Sequence, residues 1–363
     1  MKKKIAHVQL LPLLAGAQNV MLAILASLDP AEFEITVISK ADGPLVDRCQ
    51  ELNYRHIAVK NFQRSIGGKD FLAFSELYRI MRKHKFDIVH THSSKSGFIG
   101  RVSARLAGVP KIIHTVHGYP FNEFQAKPVQ LFYQFLEKTA ASFCDYVVFV
   151  NNGERKLAIQ KRWVKTQQAV TIFNGVKHLS EKPQSAHDDI FTIGSILRFW
   201  EQKNIITTIQ VAIDLCNEIS NVKFIFLGDG MLHDEATKLV AENSLQERII
   251  LPGWQSNVGD WLRIFDLFLL YSKWEGLPMS ILEAMSYGLP IVASDISGND
   301  ELVDSTNGIL VDINDPNKLK VALKEIAENR DKLSIWSENS YKKISEIFNL
   351  ESFSQKYKEL YRR

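Results

Sequence analysis

The chain has 363 residues, enough for two domains that each bury a core, and 45% hydrophobic with 23% charged residues excludes a disordered or fibrous protein. Three cysteines, Cys49, Cys144 and Cys216, are odd in number and far apart, which argues against a disulfide framework or a zinc site and fits a reducing cytosol. The net charge of +3 hides an asymmetry, +12 over residues 1–180 against −9 over 181–363, so the first half should prefer an anionic partner.

The first residues, with three lysines and an apolar stretch, superficially imitate a signal peptide. His7 and Gln9 break that run, and residues 5–10 followed by a glycine-containing turn and an apolar helix over 20–28 form a better first βα unit. No run of 18 apolar residues exists, so no membrane span is expected. Short β-rich runs at 5–10, 34–39, 55–60, 87–92, 111–117, 146–151 and 170–174 alternate with helical stretches, which predicts a parallel sheet covered by helices on both faces. The turn at 13–19 holds one glycine, Gly16, and no G-x-G-x-x-G, so the alternation does not imply NAD binding.

Over 62–85 aromatics interleave with Arg64, Lys69, Arg79, Arg82, Lys83 and Lys85. Phe71, Phe74, Leu77 and Tyr78 recur at helical spacing and predict an amphipathic helix packed on the sheet, with an interfacial helix beside anionic lipid as the rival reading. Histidines stand at two strand ends. His90 and His92 share one face of their strand by the period of two, and His117 precedes Gly118 at the sheet's carboxyl edge. With His114 they make a metal site conceivable, but no other ligand type is grouped with them and strand histidines are often satisfied core residues. The polar stretch 177–189 is the expected linker.

The second half opens with a strand over 190–197, then Arg198 and Lys203, five residues apart; further strands are expected at 222–228 and 248–253. Strands at 267–271 and 289–293 bracket a loop and helix, a βαβ unit in which Pro278 suits the first helical turn and Gly288 a left-handed close. Glu275 then lies in the loop at the strand's carboxyl end, where open α/β sheets bind ligands, and Glu283 points from the helix about one turn further in. N–H groups of Gly276, Leu277 and Met279 at the helix start can hold a phosphate, while the two carboxylates accept hydrogen bonds from sugar hydroxyls. The last helix, 350–361, carries Phe353, Tyr357, Leu360 and Tyr361.

Glu275 and Glu283, inside Ser-x-x-Glu-Gly-Leu-Pro-x-x-x-Leu-Glu-Ala-Met, resemble the E-x7-E signature of the retaining GT-B glycosyltransferases of family 4. An acidic pair alone would more simply complement a helix dipole; the full string outweighs that reading. The resemblance covers nearly the whole chain, strongest over 190–312 and weakest over 40–85. Arg198 and Lys203 resemble the family's Arg-x4-Lys pair that grips the donor diphosphate, a role suited to a planar guanidinium and an ammonium. His117 resembles the histidine before glycine that reaches the donor sugar, and Gly16 a close-approach point of the first turn, where Ala15 and Gln18 depart from the family's Gly-Gly-Ala-Glu. Asn174-Gly175-Val176 resembles the end of the family's first domain, with Lys177 replacing an acid, and 295–301 its Gly-x-x-Glu turn.

The fold so implied is α/β and GT-B, two Rossmann-like domains facing across a cleft: an acceptor-binding domain at 1–176, the linker 177–189, a donor-binding domain at 190–345, and a C-terminal helix within 346–363 packing back on the first. The activity implied is retaining hexosyl transfer from a nucleotide sugar, expected to be a UDP-sugar, to a saccharide or lipid-linked saccharide in bacterial surface polysaccharide (capsule or O-antigen) assembly. Catalytic roles fall to His117, Glu275, Arg198 and Lys203; donor binding falls to Gly16, Arg198, Lys203, Glu275, Gly276, Leu277, Met279 and Glu283. No cofactor and no metal are expected, since no Asp-x-Asp occurs and the basic pair supplies positive charge. No nucleic-acid partner is expected, and the location should be cytoplasmic, peripheral on an anionic membrane surface. The rival functions are a sugar-nucleotide epimerase or hydrolase of the same fold, and an inactive nucleotide-sugar-binding scaffold.

Overall fold

The computed structural model describes residues 2–63, 67–121, 124–179 and 189–363. Most of the expected linker, residues 180–188, lies outside the described residues, as does Arg64. Two compact units form, Met1–Asn174 with Glu351–Arg363, and Gly175–Leu350.

The first unit holds β1 (Lys3–Val8), β2 (Phe33–Ser39), β3 (Arg55–Ala58), β4 (Ile88–His92), β5 (Lys111–Val116), β6 (Tyr146–Phe149) and β7 (Ala169–Thr171). Their order is β3-β2-β1-β4-β5-β6-β7, and every pairing is parallel. The order reverses between β1 and β4, the switch point of a doubly wound sheet. Helices reach the sheet through small residues. The helix Ser94–Ala107 lies so close to β5 that a Cβ on Gly97 would stand 2.4 Å from the His114 ring.

The helix Lys69–His84 buries Ala73, Leu77 and Met81, an i, i+4, i+8 stripe. Of the expected face, Leu77 is buried and Phe74 packs partly buried against the core, whereas Phe71 is 73% exposed. From Glu351 onward the C-terminal helix Leu350–Arg362 belongs to this unit, burying Phe353, Tyr357, Leu360 and Tyr361.

The second unit holds β8 (Phe191–Ile196), β9 (Val222–Leu227), β10 (Ile249–Ile250), β11 (Leu267–Leu270), β12 (Ile291–Ser294) and β13 (Gly308–Val311) in the order β10-β9-β8-β11-β12-β13, again parallel. The apolar run of β11 is fully buried, as a strand covered on both faces requires. Here the switch point lies between β8 and β11, whose carboxyl ends lead to Arg198 and Glu275 respectively. Main-chain bonds from Val176 to Phe348 and from Leu350 to Val176, both 3.0 Å, tie the two ends of this unit together. Among the described residues no helix is long and apolar enough to cross a membrane.

Candidate active site

At the β8/β11 edge two loops are stapled to each other. After β8 the chain makes a short 3-10 turn, Glu201–Lys203, and after β11 it runs through Lys273, Trp274 and Glu275. Lys273 N–H donates to Gln202 O and the Gln202 side chain donates to Trp274 O, both at 2.8 Å, while Lys273 and Glu201 form an ion pair. Within this frame Lys203 Nζ donates to Glu275 Oε1 at 2.5 Å, with the side chains only 12% and 8% exposed. The sequence assigns these residues to separate halves of a ligand; the structure joins them in one charge-assisted bond. An ammonium has three donors and a carboxylate two acceptor oxygens, so the pair retains capacity on both members. Arg198 is exposed, its guanidinium 4.9 Å from the centroid of Trp200, a cation–π arrangement.

The helix Met279–Ser286 follows, beginning one residue after Pro278, which is extended (φ −69°, ψ 119°) rather than part of the first turn. Gly288 is left-handed (φ 72°), the close that the sequence suggests. Gly276 and Leu277 are buried, and Met279, half-buried, is the first helical residue. The turn after β12 presses on this loop: Gly298 has φ +96°, and a Cβ there would lie 2.1 Å from Gly276 O, so only glycine fits. Ser294 donates to Ser272 O at 2.6 Å and Asn299 donates to Ser294 O at 2.9 Å, fixing the same edge. Glu283 is half-buried without an ion-pair partner among the described residues, and burial pushes its carboxyl from 4.5 up to about 7.

In the first unit Gly16 begins the helix Gly16–Ser27, exposed, with no atom within 4 Å of where its Cβ would be. The side chains of Gln18 and Gln9 donate to Leu11 O and Ala17 O, both at 3.4 Å. His117 follows β5 at its carboxyl edge, half-buried, before left-handed Gly118 (φ 123°). Burial pushes its imidazole down to about 4. His117 Nε2 lies 3.0 Å from His92 Nδ1, and His92 Nε2 lies 3.0 Å from His7 Nδ1. His90 bonds Tyr361 Oη at 2.6 Å and Thr115 Oγ1 at 2.7 Å, and Tyr361 Oη also lies 3.2 Å from His7 Nε2. His114 bonds Thr91 Oγ1 at 2.9 Å and stays apart from this chain.

His7, His90 and His92 bring ring nitrogens within 4.8 Å of one another, the spacing of a metal cluster. Every one of those six nitrogens lies within hydrogen-bond distance of a partner in the network. Sequence reasoning missed His7, taking it only as a break in an apolar run, and missed that Tyr361 bonds it while Tyr357 bonds Thr115. The i, i+4 spacing of two tyrosines on the last helix is the one local signal that both face the same way.

The family model described as "Glycosyl transferases group 1" matches residues 177–343, and the model described as "Glycosyltransferase Family 4" matches residues 14–178. An Escherichia coli protein, UDP-Gal:alpha-D-GlcNAc-diphosphoundecaprenol alpha-1,3-galactosyltransferase, is 36% identical over 376 residues, covering 99% of this chain and 97% of the relative. Alr3699/HepE of Anabaena, solved with UDP and glucose, superposes with a TM-score of 0.81 at 18% identity over 99% of both chains. Sucrose-phosphate synthase of Thermosynechococcus elongatus gives 0.81 at 18%, over 99% of this chain and 98% of the other. At such identities these two structures speak for the fold.

Proposed function

The chain belongs to the family 4 glycosyltransferases of the GT-B fold, and we propose that it transfers a hexose, with retention of configuration, from a UDP-hexose to a sugar carried on a lipid diphosphate. The observation that carries this reading is the Lys203–Glu275 pair beside the start of the helix Met279–Ser286, at the switch point of the second sheet. It offers a cation, helix N–H groups and a carboxylate together, which suits a diphosphate joined to a polyol. The named reaction of the Escherichia coli relative supports UDP-galactose as the first donor to try and a lipid-diphosphate-linked GlcNAc as the first acceptor.

In this reading Lys203, Arg198 and the helix start stabilise charge that grows on the diphosphate as its bond to the anomeric carbon breaks. The acceptor oxygen bonds that carbon on the same face, and its proton passes to the departing phosphate oxygen. The remaining capacity of Glu275 holds a sugar hydroxyl, Glu283 holds the ribose hydroxyls, and His117 contributes to the sugar. Gly16, open above its helix start, leaves room for a ligand in the first unit. A divalent metal is not needed where fixed cations already face the diphosphate.

Surface-polysaccharide assembly on the cytoplasmic side of a membrane completes the proposal. It is supported by the +12 charge of residues 1–180 and by the helix Lys127–Ala141, which turns Glu137 inward to pair with Arg101 at 2.8 Å and leaves Leu131 and Phe135, each 65% exposed, on its outer face. This moves the apolar contact from the helix expected within 62–85, although Phe71 at the start of Lys69–His84 is exposed as well.

The test is a panel of UDP- and GDP-hexoses with a lipid-diphosphate-linked GlcNAc, read by product mass and by NMR of the new anomeric centre. The proposal expects an α-linked disaccharide from an α-configured UDP-hexose. Release of free hexose alone, or epimerised donor without transfer, overturns it.

A further inference from the structure

Hydrogen bonds in the first unit form one unbranched chain that ends at His117. Tyr357 Oη lies 3.3 Å from Thr115 Oγ1, Thr115 Oγ1 lies 2.7 Å from His90 Nε2, and His90 Nδ1 lies 2.6 Å from Tyr361 Oη. From Tyr361 Oη the chain runs 3.2 Å to His7 Nε2, then from His7 Nδ1 3.0 Å to His92 Nε2, and from His92 Nδ1 3.0 Å to His117 Nε2. Tyr357, Thr115, His90, Tyr361, His7 and His92 are all completely buried.

A neutral imidazole has one donor and one acceptor nitrogen, so across each ring the direction of one bond fixes the direction of the next, whereas a hydroxyl can pass a bond on or accept from both sides. Burial keeps these rings neutral: it pushes His7 down to about 3 and holds His90 and His92 well below the ordinary histidine range. Four proton arrangements then make every contact a hydrogen bond: all donors facing His117, all facing Tyr357, or donors converging on Thr115 or on Tyr361, whose hydroxyl then accepts twice. In the second arrangement the Tyr357 oxygen becomes the final acceptor, and its own O–H has nothing to donate to among the described residues; in the third and fourth the O–H of Thr115 or of Tyr361 is left in the same state, a buried and unpaired hydroxyl. In the first arrangement Tyr357 donates to Thr115, Thr115 to His90 Nε2, His90 Nδ1–H to Tyr361, Tyr361 to His7 Nε2, His7 Nδ1–H to His92 Nε2 and His92 Nδ1–H to His117 Nε2. Every donor in the chain is used.

We infer that Tyr357, Thr115, His90, Tyr361, His7 and His92 are positioning residues that lock His117 as the Nδ1–H tautomer, so that it meets substrate as a neutral hydrogen-bond donor toward an oxygen. The lone pair of His117 is spent on His92, and its Nδ1, which has no partner among the described residues, carries the proton outward at the carboxyl edge of β5. Such a ring recognises an acceptor oxygen, whether hydroxyl, carbonyl or phosphoryl, and serves neither as a base nor as a cation. What that oxygen belongs to rests on the glycosyl-transfer reading above; the tautomer does not.

The full chain labelled with 15N-histidine, examined by long-range 1H–15N NMR, reads which ring nitrogen bears hydrogen. Substitution of His117, His92, His7 and His90 by glutamine, one at a time, assigns the signals. All four rings are expected as Nδ1–H tautomers, the opposite of the form that free histidine favours in water. Tyr361→Phe cuts the chain between His90 and His7, and His117 should then show both tautomers while the circular dichroism stays native. A wild-type His117 protonated at Nε2, or on both nitrogens, overturns the inference, and so does a shift of the His7, His90 and His92 signals on adding Zn²⁺. These spectra are taken without substrate, so failure of transfer in the donor panel leaves them standing. If transfer is found, adding the UDP-hexose should shift the His117 Nδ1–H signal in wild type, and no shift would remove its substrate contact.

Discussion

Replacing Lys203 with methionine removes an ammonium and leaves the Glu275 carboxylate, 8% exposed, at the floor of the β8/β11 edge without its 2.5 Å partner. Breaking a buried ion pair from one side costs about 3–5 kcal/mol, and the low end, about 3 kcal/mol, applies where the pair sits at an edge that water can approach. The double variant Lys203→Met with Glu275→Gln carries neither charge and should recover about 2 kcal/mol of that loss, since an uncharged pair escapes the penalty of a lone buried ion. Urea unfolding followed by tryptophan fluorescence suits the question, because five of the six tryptophans lie in Gly175–Leu350. A fall in midpoint with unchanged slope is the signature of a pure stability change. Turnover of the donor should fall by about 100-fold in either variant, the scale expected on losing one group that faces developing charge. A single variant as stable as wild type, or a double variant no better than the single, would refute the coupling inferred from this geometry.

Glu283 gives a pH dependence with a definite sign. Its carboxyl lies at about 7 in the fold against 4.5 ordinarily, so the folded chain holds a proton that the unfolded chain has released between those values; the penalty is absent below pH 4.5, grows through that window and is complete above pH 7. Glu283→Gln should therefore gain stability relative to wild type from pH 5 to pH 8, by up to about 3 kcal/mol, and a flat difference across that range would contradict the burial argument. Glu283→Ala should weaken UDP by about 1–3 kcal/mol in calorimetry, and unchanged affinity would remove its ribose role. Transfer is expected to persist in excess chelator; activity lost to chelator and restored by Mn²⁺ would end the assignment of the diphosphate to Arg198 and Lys203. Vesicles of anionic lipid should bind the chain at low salt and release it as salt rises, and Phe135→Ser with Leu131→Ser should weaken that binding; equal binding by this variant would place the contact elsewhere.

Local pattern determined much of this protein. Alternating β-rich and helical runs fix a parallel sheet because buried strands such as Leu267–Leu270 must be apolar on both faces, and the glycine at 288 marks a helix end because its left-handed backbone favours glycine. The string around Glu275 and Glu283 was legible for the same reason: a loop, a helix start and two carboxylates lie within one short segment. Tertiary structure alone decided that Lys203 and Glu275 share a bond, since they are 72 residues apart and meet only because β8 and β11 are neighbours at the switch point. It alone decided that His7, His92 and His117 are hydrogen-bonded in series, because β1, β4 and β5 lie side by side in an order that no local periodicity encodes. Tyr361, 354 residues from His7, joins that chain because the last helix returns to the first unit, and a hydrogen bond depends on distance in space rather than along the sequence.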